Sequence, residues 1–263
     1  MTLAFSVIND ARDELVGERN LFSVSEMFHE NSRITGAAPR LPDRAGARIV
    51  APTGFKRYVH SPRLVLPAAR RNPIGDVGEA IRRRRSCRYY CGAELSLQQL
   101  AELLFLTLGC HEENCRCVPS AGGLYPLELY VAASRVEGLP AGLYHYDPRA
   151  HALAALRDVD CMALISDAVF IPEATEGAAA VLLITAMFGR SKLKYGERAY
   201  RFALLEAGHG MQNILLVATA LDLGACPVGG FIDDRLNDLL DIDGVEEAAL
   251  YAAIIGRPDD PHR

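Results

Sequence analysis

Between Ala178 and Phe188 the chain reads Ala-Ala-Ala-Val-Leu-Leu-Ile-Thr-Ala-Met-Phe, eleven residues without a charge. Such a run has to be buried, and its length decides how. It is far short of the ~18–20 residues that cross a bilayer, so Ala179–Ala186 reads as a buried strand. Helices are legible by their caps. Asp76 with Glu79, and Ser96 with Gln99, have the spacing that satisfies the free amides of a helix start. The second pair opens onto Leu100, Leu103, Leu104 and Leu106, an amphipathic stripe. A long helix is expected from Glu197 to Leu221, with glycines at 208 and 210. Shorter ones are expected at Ser23–Asn31 and Asp234–Leu240.

Further strands are expected at Leu127–Ala132, Gly142–Tyr146, His151–Leu156 and Ala248–Ile255. Tyr146-Asp147-Pro148-Arg149 is turn chemistry and predicts a hairpin between the second and third of these. Helices outweigh strands and the two interleave. The fold class is therefore α+β, a mainly antiparallel sheet clasped by helices. Residues 1–71, with a Pro/Gly/Arg-rich passage from Gly36 to Pro52, read as an N-terminal extension, and residues 72–263 as the main domain.

Composition removes several function classes. The 28 Lys and Arg against 33 Asp and Glu give a net charge of -5, without the basic surplus that a nucleic-acid footprint needs. No basic segment follows Met1, so no export signal is expected, and the seven cysteines read as reduced thiols in a cytoplasmic protein. Gly208-x-Gly210-x-x-Asn213 has the spelling of a dinucleotide fingerprint but lies in a helical pattern where a strand and tight turn are required. Cys110, His111, Cys115 and Cys117 sit in what reads as a loop after Gly109, with no second Cys/His pair at zinc-ribbon spacing, so no metal is expected. Cys226 reads as a small buried residue, and His145 carries no argued function.

Three segments carry chemistry. Arg82–Arg85 spread around a helix at ~100° per residue, so only a subset can meet one ligand. Arg84, Ser86 and Arg88 form that subset: two guanidinium forks at i and i+4 with a hydroxyl between them suit a phosphate. Pro119-Ser120-Ala121-Gly122-Gly123-Leu124-Tyr125-Pro126 is a side-chain-poor loop against which a flat ring can lie. Gly224-Ala225-Cys226-Pro227-Val228-Gly229-Gly230-Phe231 reads as a second such loop, with free backbone amides. Together they point to a planar, phosphorylated cofactor held outside a Rossmann fold.

The order of these motifs, with Lys194-Tyr195-Gly196-Glu197-Arg198 and Tyr200-Arg201, Glu206-Ala207-Gly208-His209-x-x-Gln212-Asn213, and Ile255-Gly256-Arg257-Pro258, resembles the nitroreductase superfamily. Within it the chain is most similar to the SagB-type dehydrogenase branch, which includes FMN-dependent azoline oxidases of thiazole/oxazole-modified peptide pathways. The resemblance covers roughly residues 72–260 and implies an intertwined homodimer with FMN at its interface. It implies that Arg84, Ser86 and Arg88 bind the FMN phosphate and ribityl oxygens, with Arg257 returning to the phosphate. Pro119, Ser120, Ala121 and Gly123 would contact the flavin from the partner subunit, and Pro227, Val228, Gly229 and Gly230 would lie against its ring. Lys194 and Tyr195 match the Lys-Tyr pair to which azoline oxidases owe catalysis. Gly123 departs from the Asn common in the broader superfamily, and the cysteine-bearing segment Cys110–Cys117 is not a feature of it.

The implied substrate is an azoline on a peptide or carrier, with a cyclodehydratase as possible partner. Making it an azole removes a proton alpha to a carbonyl and a hydride from the adjacent carbon, so the protein needs a base. A phenol is a poor base at neutral pH, but a neighbouring ammonium favours its phenolate, and a desolvated lysine can itself serve. Adjacent helical residues diverge by ~100°, so a joint role for Lys194 and Tyr195 requires irregular backbone, which Gly196 permits. His209, Gln212 and Asn213 share a helix face, either toward a cofactor or at a helix interface. An NAD(P)H-dependent nitro- or quinone reductase and a non-catalytic docking subunit are the alternative functions.

Overall fold

The computed structural model describes residues 23–33, 55–70, 75–112 and 115–259. The Gly36–Pro52 passage lies outside the described residues. The chain divides into two compact units, residues 1–39 and 40–263. The first contributes helix α1 (Val24–Asn31), closed by a capping box between Ser23 and Glu26 as its sequence spacing requires.

In the second unit, seven strands form one antiparallel sheet. They are β1 (Arg63–Val65), β4 (Leu127–Ala133), β5 (Gly142–Asp147), β6 (Ala152–Arg157), β7 (Ala180–Met187), β8 (Gly224–Val228) and β9 (Glu247–Gly256), in the order β1-β6-β5-β4-β7-β9-β8. β2 (Cys110–Glu112) and β3 (Cys115–Arg116) make a separate two-stranded ribbon. The predicted hairpin joins β5 to β6, with Asp147 accepting the Arg149 and Ala150 amides in its turn.

β7 lies in the interior of the sheet between β4 and β9, and its alternate residues feed two cores. Leu182 and Ile184 pack under α3 (Leu97–Leu108) and the long α6 (Arg198–Ala220). Val181 and Leu183 pack on the other side with residues of α4 (Met162–Ala168) and α7 (Asp233–Leu240). Burial on both faces explains why this strand is apolar throughout instead of alternating. α2 (Val77–Arg83) and α5 (Gly189–Tyr195) complete the unit. No helix among the described residues is long and apolar enough to cross a membrane.

Four differences from the sequence reading matter. The sheet reaches N-terminally past residue 71: β1 pairs with β6, and Arg70 forks onto the buried Glu102 of α3. Gly224–Phe231 is not a loop throughout, because Gly224–Val228 pair residue by residue with β9; Gly229, Gly230 and Phe231 stand outside the sheet. Pro227 is tolerated there because β8 is the edge strand. The cysteine segment is a short ribbon, Cys110 opposite Arg116 and Glu112 opposite Cys115. Finally, α2 ends at Arg83, and Arg84 turns extended with ψ 124.

Candidate functional site

Because the chain leaves α2 extended, the arginine-rich segment follows a strand's geometry. Ser86 bridges Ala225 of β8 in parallel, and the Cys87 amide donates to the Ala225 carbonyl at 3.0 Å. Extended backbone turns successive side chains to opposite sides, so Ser86 and Cys87 face apart. Cys87, on the other side, packs toward Gly224, where a Cβ would lie 2.6 Å from its sulfur; glycine is needed there for the segment to lie this close.

The neighbouring arginines are otherwise engaged. Arg82 pairs with Glu79 at 3.0 Å, Arg83 with Asp222 at 2.6 Å, and Arg85 donates to the carbonyls of Arg82 and Arg84. Among the described residues the guanidiniums of Arg84 and Arg88 meet no acid. Two free cations flanking a half-buried hydroxyl, beside the strand that leads to Gly229 and Gly230, fit a phosphorylated planar ligand. Arg257 joins this group through its backbone, its carbonyl accepting the Cys91 amide at 3.1 Å. Its guanidinium donates to the Glu94 carbonyl and to Gln99.

A second cluster forms around the Pro119–Pro126 loop, whose residues 121–123 make a 3-10 turn. Gly122 has φ +64, and a Cβ there would sit 2.5 Å from the Tyr195 hydroxyl and 2.7 Å from the Lys194 ammonium. Two side chains adjacent in sequence thus converge on one point. Both residues lie in the last turn of α5, so it is the reach of two long side chains, and not irregular backbone at the pair, that brings their tips together; the irregularity comes after them, at Gly196 with φ 54. The Lys194 ammonium lies 5.3 Å from the Tyr195 ring centre, and Tyr195 packs edge-on against Phe202.

The loop is pinned from several sides. Ser120 accepts the Tyr125 amide at 2.9 Å and donates its hydroxyl proton to Glu206 of α6. Tyr125 holds a left-handed φ of 46, its carbonyl taking Arg190 at 2.9 Å and its hydroxyl taking the Arg116 amide. Arg190 also pairs with Glu128 at 2.6 Å, and Glu128 binds His145 at 2.7 Å. Burial works against ionising Glu128, yet the His145 hydrogen bond and the Arg190 and Arg116 charges hold its carboxyl below the usual value. Burial drives Glu206 the other way, up to about 7, despite Ser120, Arg116 and Arg190.

Pro119, Ala121 and Gly123 lie in this loop, and Pro227 and Val228 in β8. The structure thus lays the Arg84–Arg88 segment against β8 through Ser86 and Cys87, and brings the Ser120–Gly122 turn to Lys194 and Tyr195. Glu206, Arg190, Glu128 and His145 were missed as contributors. Glu206 stood within a quoted motif, but its partner is 86 residues away, a separation no local pattern reveals. Asn213 bridges the carbonyls of Leu106 and Cys117, the helix-interface role, while His209 and Gln212 are exposed. Cys226 is buried, and no His/Cys/Asp/Glu group that could hold a metal occurs among the described residues.

Comparison with known proteins gives the family of the chain. A Methanocaldococcus jannaschii protein named as a nitroreductase is 36% identical over 176 residues, 66% of this chain and 87% of its own. The trifolitoxin-processing protein TfxB of Rhizobium leguminosarum bv. trifolii is 30% identical over 56% of the chain and 41% of its own length. The microcin B17-processing protein McbC of Escherichia coli is 27% identical over 64% of each. An Anabaena variabilis structure described as a nitroreductase superposes with TM-score 0.74 at 28% identity, covering 92% of this chain and 49% of that one. The E. coli microcin synthetase complex McbBCD with truncated pro-MccB17 gives TM-score 0.63 at 22% identity, covering 90% and 92%. A Desulfovibrio desulfuricans structure in complex with FMN gives 0.51 at 21%, covering 71% and 88%, a likeness of fold. The nitroreductase family model matches residues 81–257. The chain belongs to the nitroreductase family.

Proposed function

We propose that this protein is an FMN-dependent dehydrogenase that converts azoline rings to azoles on a peptide or carrier-bound intermediate. The observation that carries the reading is the convergence of Lys194 and Tyr195 on Gly122. Arg84, Ser86 and Arg88 would hold the phosphate, with Pro227, Val228, Gly229 and Gly230 along the ring and the Pro119–Gly123 loop completing the site. Bound FMN supplies the two-electron acceptor.

The chain's own part is to orient the ring and to move a proton. Tyr195 takes the proton from the carbon alpha to the carbonyl, with the Lys194 ammonium beside it at the same turn. Lys194 is exposed and Tyr195 half-buried, which suits a charge-donating lysine beside a base. The side-chain-poor Gly122–Gly123 turn leaves room for a flat ring next to both tips. The relationship to McbC and TfxB, whose names describe peptide processing, supports a peptide substrate and a biosynthetic partner such as a cyclodehydratase. A homodimer fits the exposed Leu193, Leu204 and Leu205 near the same helices.

The test uses Lys194→Ala and Tyr195→Phe with an azoline-bearing peptide, read as loss of two mass units. Loss of a general base costs ~10²–10⁴ in rate, and both variants should retain flavin. A double variant little worse than the poorer single one marks a pair acting as a unit. Wild-type azole formation in both variants would overturn the assignment. The named nitroreductase relative favours a second reading, an NAD(P)H-dependent reductase. Turnover confined to NAD(P)H and a quinone in the wild type would select it.

A further inference from the structure

Glu206 belongs to none of the roles above, and it is 3% exposed. One oxygen, Oε1, has no hydrogen-bond partner among the described residues; the other receives the Ser120 hydroxyl. A buried carboxyl kept this way costs free energy unless it holds something in place. What it holds is the start of the Pro119–Pro126 loop. Ser120 passes the connection on by accepting the Tyr125 amide across the turn, and between those two residues lies Gly122, under the tips of Lys194 and Tyr195. Tyr125 is in left-handed backbone, a conformation a bulky residue keeps only when its surroundings over-determine it.

We propose that Glu206 is a positioning residue: through Ser120 it fixes the 120–125 turn in the strained form that brings Gly122 beneath Lys194 and Tyr195. This rests on the reading of that turn as part of the cofactor and substrate site. Glu206 is anchored on the longest helix among the described residues, which packs in the same core as β7, so the loop takes its position from that core. Arg116 and Arg190 approach the same carboxyl from β3 and α5 and also touch Tyr125, so acid, base and strained residue form one unit.

The test compares Glu206→Leu, Glu206→Gln and Ser120→Ala by hydrogen exchange at the Tyr125 amide, with β7 amides as the internal control for folding. Losing the hydrogen bond should speed Tyr125 exchange about five- to tenfold in Glu206→Leu and in Ser120→Ala. Glu206→Gln, which keeps an acceptor for Ser120, should stay within about twofold of wild type. Unchanged Tyr125 exchange in Glu206→Leu overturns the proposal, as does a Gln variant as fast as the Leu one. Where Glu206→Leu fails to fold, unchanged exchange in Ser120→Ala is the overturning result. FMN titration of the same variants separates the two readings. Faster exchange with weaker FMN binding upholds both, and faster exchange with unchanged FMN affinity upholds the positioning role while removing the turn from the cofactor site.

Discussion

The Lys194 ammonium and the Tyr195 hydroxyl reach the same point in space, the place where Gly122 lacks a side chain. Neighbours on a regular helix would point ~100° apart. Here both lie in the last turn of α5, and the reach of two long side chains closes their tips over a turn from a different part of the chain.

Gly122→Ala is expected to disturb this meeting from the other side. Its methyl would collide with both polar tips and force an alanine into φ +64. The tips are the ends of flexible side chains and can move away, so the stability loss is expected near 1 kcal/mol, a fall of about 2–4 °C in melting temperature. Azole formation should fall well beyond what that loss explains, with flavin retained. Calorimetry beside the mass-shift assay separates the two effects.

Arg84→Ala and Arg88→Ala are expected to weaken FMN about ten- to a hundredfold each, since a charge-assisted hydrogen bond contributes roughly 1.5–3 kcal/mol. Neither arginine pairs with an acid among the described residues, so melting of the flavin-free protein should not change. Arg83→Ala, which loses only its exposed pair with Asp222, should leave FMN affinity as it is. Fluorescence titration of the three variants provides the comparison.

Stability should fall as pH rises through neutrality. Glu206 has its carboxyl raised to about 7 from 4.5, chiefly by burial. The folded state therefore holds this proton more tightly than the unfolded chain. Its stabilising effect is complete below about 4.5 and is lost as pH climbs through about 7, on the order of 3 kcal/mol in all. Glu206→Gln should flatten that part of the profile. Parallel pH–melting curves that keep the same slope would show that another group is responsible.

Removing Glu128 is expected to be severe. Its carboxylate is the shared partner of Arg190 and His145 in the interior, and Glu128→Leu leaves a buried guanidinium behind. Breaking such a pair costs roughly 3–5 kcal/mol. Because Arg190 also holds the Tyr125 carbonyl, the loss should appear at the loop as well as in the melting point.

Light scattering at micromolar concentration is expected to show a dimer, and Leu205→Lys to break it. Leu205 is 61% exposed on α6, beside Gly208, which has open space above it.

Much of the architecture was written in local patterns. Ser96 and Gln99 close their capping box as spaced, and the apolar run became an interior strand of the sheet. β8 was hidden because Gly-Ala-Cys-Pro has turn composition; its strand form comes from pairing with β9, which no window around residue 225 contains. The path of the Arg84–Arg88 segment was hidden too: the helix ends at Arg83, and Ser86 lies along β8, a pairing that no window around residue 86 contains. Glu206, Glu128 and Arg190 were illegible because each acts through a residue far along the chain.

The segment that lies along β8 also settles what the sheet can no longer do. Its Cys87 amide occupies the Ala225 carbonyl on the outer edge of that strand, and at the opposite border β1 has only three residues. An extended chain finds little backbone to zip onto at either border of the seven-stranded sheet. For the peptide substrate proposed above, recognition would then rest on side chains and helices around the reacting ring, and the sequence flanking that ring would be free to vary without losing a main-chain ladder.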